Sequence, residues 1–530
     1  MTQGTHEDCV PPWWQDAVIY QVYLRSFQDS DGDGVGDLAG VIARLDYIVA
    51  LGADALWLSP FHPSPLHDGG YDIEDFTSVH RLFGDLDTFD RLLTQAHRRG
   101  LKVVLDFVPN HTSDRHPWFR ESRATRENSR RNWYVWRDPA AGGGPPNGWR
   151  SMMEGSAWTR DPASGQYYYH AFLPEQPDLN WRNPEVKSAM DGVLRFWLDR
   201  GVDGFRVDAV PHLVEDDLLR EDPPGELAGE GLPVQAGVRH AFTSDRPETH
   251  AVAAAWRRLL DGYKDRLLIG EAHLPAERVM RYYGLGSPAF HLPFNFVLLN
   301  TAWDARALAA ALDQYRNLLP PGAWPNWVLG NHDEQRLASR IGREQARVAA
   351  MLAFTAGGTA FVYNGDELGL EDVAIAPDEA RHPDVSGDRD PQRTPMPWDA
   401  APNSGFTTGT PWLPLGEANG ARNVAAQDAD PHSSLTLYRR LIALRRAHPA
   451  LVRGRFRPKS GDGTVLSYER EDDGARFLVT LNIGGDAASA KLGEPCELLL
   501  STQLDREGDR CNGELFLRPN EGVVFRLRPR

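Results

Sequence analysis

The feature that most restricts the fold is an alternation. Eight apolar, strand-like runs recur between residues 17 and 368 of the 530-residue chain, with helix-like segments between them. The runs are Ala17–Phe27, Asp54–Phe61, Leu101–His111, Val202–Val210, Arg266–His273, Phe290–Leu299, Asn326–Glu334 and Thr359–Leu368. "LDTFDRLLTQAHRRG" (Leu86–Gly100) is an amphipathic helix pattern ending in glycine. "PEVKSAMDGVLRFWLDRG" (Pro184–Gly201) opens on proline and closes on glycine, as helices often do. Strands that are apolar throughout need cover on both faces, so helices joining them imply a parallel sheet. Eight such units predict an α/β fold closed into a (β/α)8 TIM barrel. An open doubly wound sheet is the alternative, but no G-x-G-x-x-G follows the first run.

Two stretches break the alternation. Residues 109–183 are rich in Trp, Pro, Gly and Asn, include the low-complexity "AAGGGPPNG", and are too long for an ordinary loop. They predict a small domain inserted after the third strand. After the helix pattern Leu435–Leu451 come "TVLSYERE", "ARFLVTLNI", "CELLLSTQ" and "GVVFRLRP", short strands separated by Gly-Asp turns. These predict a C-terminal antiparallel β-sandwich. The expected division is therefore 1–108 and 184–455 for the barrel, 109–183 for the insertion and 456–530 for the terminal β domain.

The barrel predicts where chemistry can sit. Its polar residues fall at the carboxyl ends of the strand runs: Asp106, Asn110 and His111 on the third, Arg206 and Asp208 on the fourth, Glu271 on the fifth, and Asn331, His332 and Asp333 on the seventh. In a closed barrel these ends converge on the face that carries active sites. Asp106 alone could be a strand-end hydrogen bonder, and His332 alone a satisfied core histidine; convergence is what points to chemistry. Carboxylates with an arginine and two histidines suit glycoside hydrolysis by a retaining mechanism, which needs one nucleophilic carboxylate and one proton-donating acid. Arg206 and Asp208 are two apart, so they share a strand face, and the guanidinium is expected to keep Asp208 ionised as the nucleophile. Glu271 follows Leu268 and Ile269 with no adjacent cation, so burial is expected to raise its pKa, as an acid/base requires. Asp333 is the expected transition-state stabiliser, and His111 and His332 can donate to sugar hydroxyls. A two-metal hydrolase could use the same acids, but no H-x-H or H-E-x-x-H spacing appears.

One loop is overloaded with like charge. "DSDGDGVGD" (Asp29–Asp37) places Asp29, Asp31, Asp33 and Asp37 directly after the first strand. An EF-hand is ruled out, because its twelfth position would be Gly40 rather than a bidentate Glu. The alternatives are a solvated acidic turn and a structural metal site, with four carboxylates and the Val35 carbonyl as ligands to Ca2+ or Mg2+. The net charge of −17 argues against nucleic acid as a partner. No apolar run is long enough to span a membrane, and the N-terminus has no signal-peptide pattern. Cys9, Cys496 and Cys511 are too few and scattered for a disulfide framework or a zinc site, so a cytoplasmic protein is expected. Sixteen tryptophans serve either the core or sugar platforms.

The sequence resembles glycoside hydrolase family 13, the alpha-amylase family. "DFVPNH" (Asp106–His111), "GFRVDAV" (Gly204–Val210), "GEAH" (Gly270–His273) and "GNHDE" (Gly330–Glu334) match its four short regions in order, and "QPDLNW" (Gln176–Trp181) matches a fifth. The resemblance runs from about Trp13 to the end of the chain. It implies the barrel with an inserted domain B and a β-sandwich domain C. It also implies Asp208 as nucleophile, Glu271 as acid/base, Asp333 as stabiliser, Tyr71 stacked under the sugar, and Asp106 as a support. The runs around "DSDGDGVGD", "DGGYDIEDF" (Asp68–Phe76) and "GDRDPQRTPMPWD" (Gly387–Asp399) are similar to the alpha-glucosidase and oligo-1,6-glucosidase branch. That similarity implies that Asp68 and either Arg389 or Arg393 close the pocket on the terminal glucose. It also implies a structural metal at Asp29, Asp31, Asp33, Val35 and Asp37, and no organic cofactor.

Three departures stand out: Met153 where many relatives have Phe, and Asn364 and Asp366 where Gln and Glu are common. Ala209 after the nucleophile goes with 1,4-linkages in this branch, where Val goes with 1,6. The implied activity is an exo-acting retaining alpha-glucosidase on maltose-like substrates, with transfer to sugar or alcohol acceptors open, in a monomer or homodimer. Trehalose synthase and a sucrose-acting transglucosidase share the same acids. A catalytically dead binding subunit is disfavoured, because all three acids are kept and no membrane helix is present.

Overall fold

The computed structural model describes residues 11–153, 155–224, 240–381, 389–416 and 422–529. Cys9 and the polar N-terminal decapeptide lie outside the described residues. The eight runs form one parallel sheet: β1 (Val18–Val22), β2 (Ala55–Leu58), β3 (Lys102–Phe107), β4 (Gly204–Val207), β5 (Leu267–Gly270), β6 (Leu292–Pro293), β7 (Asn326–Trp327) and β8 (Thr359–Tyr363). In space the order is β7-β8-β1-β2-β3-β4-β5-β6, a barrel open only between β6 and β7. Every barrel-strand residue except Lys102 is buried. That follows from helices packing on the outside while side chains fill the interior.

The β6–β7 seam has a sequence cause. β6 is only two residues long and ends at Pro293, which has no N–H to continue a ladder. Side chains close the gap instead. Asn326 Nδ2 donates to the Pro293 carbonyl at 2.7 Å, and Asn295 Nδ2 donates to the Asn326 carbonyl at 2.9 Å. The long runs predicted at Phe290–Leu299 and Asn326–Glu334 are thus mostly loop and short helix, which frees their polar ends for the rim.

The connecting helices are capped as their sequences suggest. α1 (Leu38–Leu51) is capped by Asp37 and ends on Gly52, α2 (Leu86–Arg98) is capped by Asp85, and α3 (Pro184–Arg200) is capped by Asn183 and ends on Gly201. Gly201 sits at φ 103°, where a side chain would be strained. α4 (Pro247–Leu260), α5 (Ala305–Leu318), α6 (Arg343–Thr355) and α7 (Ser434–Ala447) complete the outer layer. α7 stops four residues short of the predicted end, because Pro449 disfavours helix in the residue before it.

Between β3 and α3 the chain forms a helix, Pro117–Ala124, and a three-stranded antiparallel sheet of Trp136–Arg137, Tyr167–Tyr169 and Trp158–Arg160. Its aromatic residues are core: Trp149, Trp158 and Tyr169 pack with Met153, Phe172 and Ala209. The C-terminal unit is a six-stranded antiparallel sheet faced by a two-stranded one. The edge strand Arg455–Asp462, which contains Pro458 and a bulge, is invisible to alternation patterns. Cys496 and Cys511, far from a framework in sequence, are register partners on adjacent strands, both as free thiols. No helix among the described residues is long and apolar enough to cross a membrane.

Candidate active site

Arg206 organises the carboxyl face of the barrel. It points inward from β4 and is fully buried. Nη1 donates to Asp106 Oδ1 at 2.6 Å and to Asp208 Oδ1 at 2.7 Å, while Nη2 donates to Glu271 Oε1. Register explains this: Asp106 on β3 pairs with Arg206, and Arg206 pairs with Ile269 on β5, two residues before Glu271. Ala209 adopts a left-handed conformation (φ 47°), which turns its N–H onto Glu271 Oε2 at 3.2 Å. One guanidinium and one backbone N–H therefore tie Asp208 and Glu271 into a single site.

The shifts on the two carboxyls run opposite to those expected. Burial pushes Asp208 well above the usual carboxylate range, with Glu271, Asp106 and Asp333 adding to the effect and Arg206 offsetting part of it. Burial would also raise Glu271, but Arg206 and His273 outweigh it and hold Glu271 down to about 2. Against expectation, the surroundings therefore raise Asp208 and lower Glu271. The reason is the sharing of Arg206: Asp208 divides Nη1 with Asp106, whereas Glu271 has Nη2 to itself and His273 besides.

Asp333 belongs to the same cluster of charges as Asp208 and Glu271. Its Oδ1 accepts from Arg389 Nη1 and Arg393 Nη2, both at 2.8 Å, and its Oδ2 lies 3.2 Å from His332 Nε2. Against the effect of burial, His332, Arg389 and Arg393 keep Asp333 far below the ordinary carboxylate range. His332 is neutral, pushed down to about 3 by burial. Gln21 Nε2 donates to His332 Nδ1 at 2.8 Å, which leaves the other nitrogen to carry the proton toward Asp333 and Tyr71. The Tyr71 ring lies parallel to the His332 ring, with centroids 5.4 Å apart, and its hydroxyl reaches Asp106 at 3.2 Å.

The two candidate arginines occupy different places. Arg389 bridges two acids, donating to Asp68 Oδ1 at 2.5 Å and to Asp333. Arg393 is fully buried and also donates from Nε to the His332 carbonyl, so it supports the His332–Asp333 corner from behind. Gln176 Nε2 donates to Asp68 Oδ2 at 2.9 Å and lies 3.1 Å from His111 Nε2. All ten candidate catalytic and sugar-binding residues thus meet on one rim.

Sequence reasoning missed Gln21, Gln176 and His273. A signal existed for each: a lone amide inside the apolar strand Val18–Val22, the first residue of "QPDLNW", and the histidine two residues after Glu271. At the departures, Met153 packs with Phe172 and Ala209, and Phe172 supplies the aromatic ring beside His111, with centroids 5.4 Å apart. Asn364 accepts from the Tyr23 backbone N–H just after β1, and Asp366 accepts from the Tyr363 backbone N–H at the end of β8.

In the acidic loop, Asp29, Asp31 and Asp37 bring carboxylate oxygens within 4.8 Å of one another. Asp33 does not join them; it accepts from the Val35 N–H at 2.8 Å instead. Thr407 donates to Asp29, and the Trp412 N–H donates to the Gly34 carbonyl, so the loop is pinned to a distant segment. Gly34 sits at φ 94°, and a Cβ there would lie 1.9 Å from the Thr410 carbonyl oxygen, so no other residue fits. Among the described residues, no Lys, Arg or His forms an ion pair with these four aspartates.

A parallel barrel whose strand ends gather three carboxyls on one guanidinium suits a glycoside hydrolase. Residues 21–454 match the family described as alpha amylase, catalytic domain, and the chain belongs to that family, in its alpha-glucosidase branch. An alpha-glucosidase of Culex pipiens is 40% identical over 97% of this chain and 90% of its own. Among solved structures, the alpha-glucosyl transfer enzyme XgtA superposes with a TM-score of 0.93 at 39% identity, covering 98% of this chain and 100% of that one. The trehalulose synthase MutB from Pseudomonas mesoacidophila MX-45 superposes with a TM-score of 0.91 at 32% identity, covering 98% and 100%.

Proposed function

We propose that the protein is an exo-acting retaining alpha-glucosidase. It takes single glucosyl units from the non-reducing ends of short, maltose-like alpha-1,4-glucosides and passes them to water or to a sugar or alcohol hydroxyl. The observation that carries this reading is the pair Asp208 and Glu271 on one guanidinium, facing the Asp68–Arg389–Asp333 bridge. Carboxyls tied to neighbouring nitrogens suit the short separation of a retaining pair, about 5–5.5 Å, rather than the longer one of an inverting pair.

In the first step Asp208 attacks C1, Glu271 protonates the glycosidic oxygen, and the aglycone leaves. In the second, Glu271 takes a proton from water or an acceptor hydroxyl, which displaces Asp208. A bound sugar favours the division of charge that these steps need. Positive charge developing at C1 favours the ionised form of Asp208, and a glycosidic oxygen in reach of Glu271 favours its protonated form. Asp333, kept ionised by its arginines, can grip ring hydroxyls and stabilise the same charge.

The Arg389 bridge supports chain-end selectivity, because it walls one side of the pocket. Arg389→Ala should lower kcat/KM on maltose by about 10²-fold, since it frees both Asp68 and Asp333 from their shared anchor. An unchanged kcat/KM would remove Arg389 from the sugar pocket.

Asp29, Asp31 and Asp37 suit a structural Ca2+ or Mg2+, with the Val35 carbonyl as a further oxygen ligand. Three converging carboxylates with no cationic partner among the described residues favour such an ion. Chelation should then lower the melting temperature by about 5 °C. No change, with no metal in elemental analysis, returns the loop to a solvated turn.

Chromatography of products from maltose, isomaltose and sucrose tests the whole reading. Glucose or longer oligosaccharides from maltose support it, whereas trehalose from maltose points to a synthase. Likeness to trehalulose synthase keeps a second reading, sucrose-acting transglucosylation. Exclusive turnover of sucrose with retention of both hexoses would favour it.

A further inference from the structure

Glu271 has a titratable neighbour for which the two-step scheme has no task. His273 Nε2 stands 3.5 Å from Glu271 Oε1. Its ring lies flat against Phe296, with centroids 4.2 Å apart and planes 11° from parallel. Its other nitrogen, Nδ1, is buried without a hydrogen-bond partner. Glu271 is therefore the sole polar partner of this imidazole among the described residues. A ring locked by stacking, with its one polar contact on the acid/base carboxylate, is placed to exchange a proton with it.

The surrounding charges favour keeping that proton. Burial by itself lowers the pKa of His273, but Glu271, with Glu334 and Asp333 behind it, raises it above the ordinary histidine value. Those carboxylates come from two elements, the end of β5 and the loop after β7. On the side of β4, His212 is neutral, pushed down to about 3 by burial and by His240, and brings no competing charge. Arg206 faces the same Glu271 oxygen. Glu271 held ionised beside a charged imidazole is one proton shared by a pair, not an acid waiting alone.

We propose that His273 is a positioning residue that stores the acid/base proton as an imidazolium and delivers it through Glu271. The inference rests on Glu271 being the acid/base. In the first step the imidazolium Nε2–H bond breaks and its proton passes to the Glu271 carboxylate as Glu271 protonates the glycosidic oxygen. The C1–O bond breaks, the aglycone leaves as a neutral alcohol, C1 bonds to Asp208, and His273 becomes neutral. In the second step the proton from water or the acceptor hydroxyl reaches Glu271 and returns to His273, so the cycle closes without net gain or loss.

The sign of the pH effect follows. With His273 the pair loses its proton above the ordinary histidine pKa of about 6.5. Without it the proton rests on Glu271 alone, still facing Arg206, and is lost at lower pH.

The test compares wild type, His273→Gln and His273→Phe on maltose and on 4-nitrophenyl alpha-glucoside across pH. His273→Phe keeps the stack on Phe296 and removes only the proton, so it separates delivery from packing. For both variants the alkaline limb of kcat/KM on maltose should move to lower pH. The rate on maltose at pH 7.5 should fall about tenfold or more, while the nitrophenyl glucoside, whose leaving group needs no proton, changes less than about threefold. An unmoved alkaline limb, or equal losses on both substrates, overturns the proposal. Glu271→Gln is run beside them. If it keeps turnover on maltose, the acid/base assignment itself is wrong; if it loses maltose but keeps the nitrophenyl glucoside with added azide, that assignment stands and the His273 result is read on its own.

Discussion

Asp208→Asn leaves a folded protein with turnover reduced by about 10⁴-fold or more, as removal of a nucleophile does. The amide matches the carboxylate in shape and can still accept from Arg206 Nη1, so the β4–β5 rim keeps its hydrogen bonds. Burial works against the charge on Asp208, so the free protein gives up little by replacing it with a neutral amide. The anion is needed only when positive charge develops at C1, which is why activity and stability separate here. Kinetics on maltose and a melting curve of the same preparation check both halves. Near-normal turnover would refute the nucleophile assignment, and a collapsed melting curve would show that Asp208 is structural.

Arg206→Met has the largest expected effect on stability. It leaves Asp106, Asp208 and Glu271 buried with no guanidinium, and breaking a buried ion pair by removing one partner costs about 3–5 kcal/mol. The loss depends on pH, and its sign can be worked out. Without Arg206 the three carboxyls have folded pKa values above their unfolded values of about 3.9–4.3. The folded variant then binds more protons than the unfolded one from about pH 4 up to those raised values, so its stability falls as pH rises across that whole range. The deficit relative to wild type should be small near pH 4.5 and large at pH 7.5, read as the difference in melting temperature at each pH. Equal deficits at both would mean that Arg206 contributes packing rather than charge. The same variant should be inactive, since nothing then sets the Asp208–Glu271 pair.

Much of the fold was legible because its signals are local. The eight runs were visible as apolar stretches, and helix limits such as Asn183, Pro184 and Gly201 follow from capping chemistry confined to a few residues. The parts that were not legible depend on partners elsewhere. β6 shrinks to Leu292–Pro293 because its neighbour across the seam pairs through Asn326 and Asn295 side chains, which no alternation pattern records. The edge strand Arg455–Asp462 contains proline and glycine, and only pairing with Val465–Asp472 makes it a strand. Cys496 and Cys511 look unrelated until antiparallel register sets them opposite each other.

The site divides along the same line. Residue type and spacing along one strand were enough to settle which acids, histidines and arginines stand at the strand ends and share a face. How charge is distributed among them depends on the closed barrel. Whether Arg389 or Arg393 reaches Asp68, whether Asp208 or Glu271 holds the lower pKa, and which nitrogen of His332 carries the proton are set by contacts between residues tens to hundreds of positions apart. Electrostatic coupling falls with distance in space and takes no account of distance along the chain, so it becomes readable only once the barrel has closed.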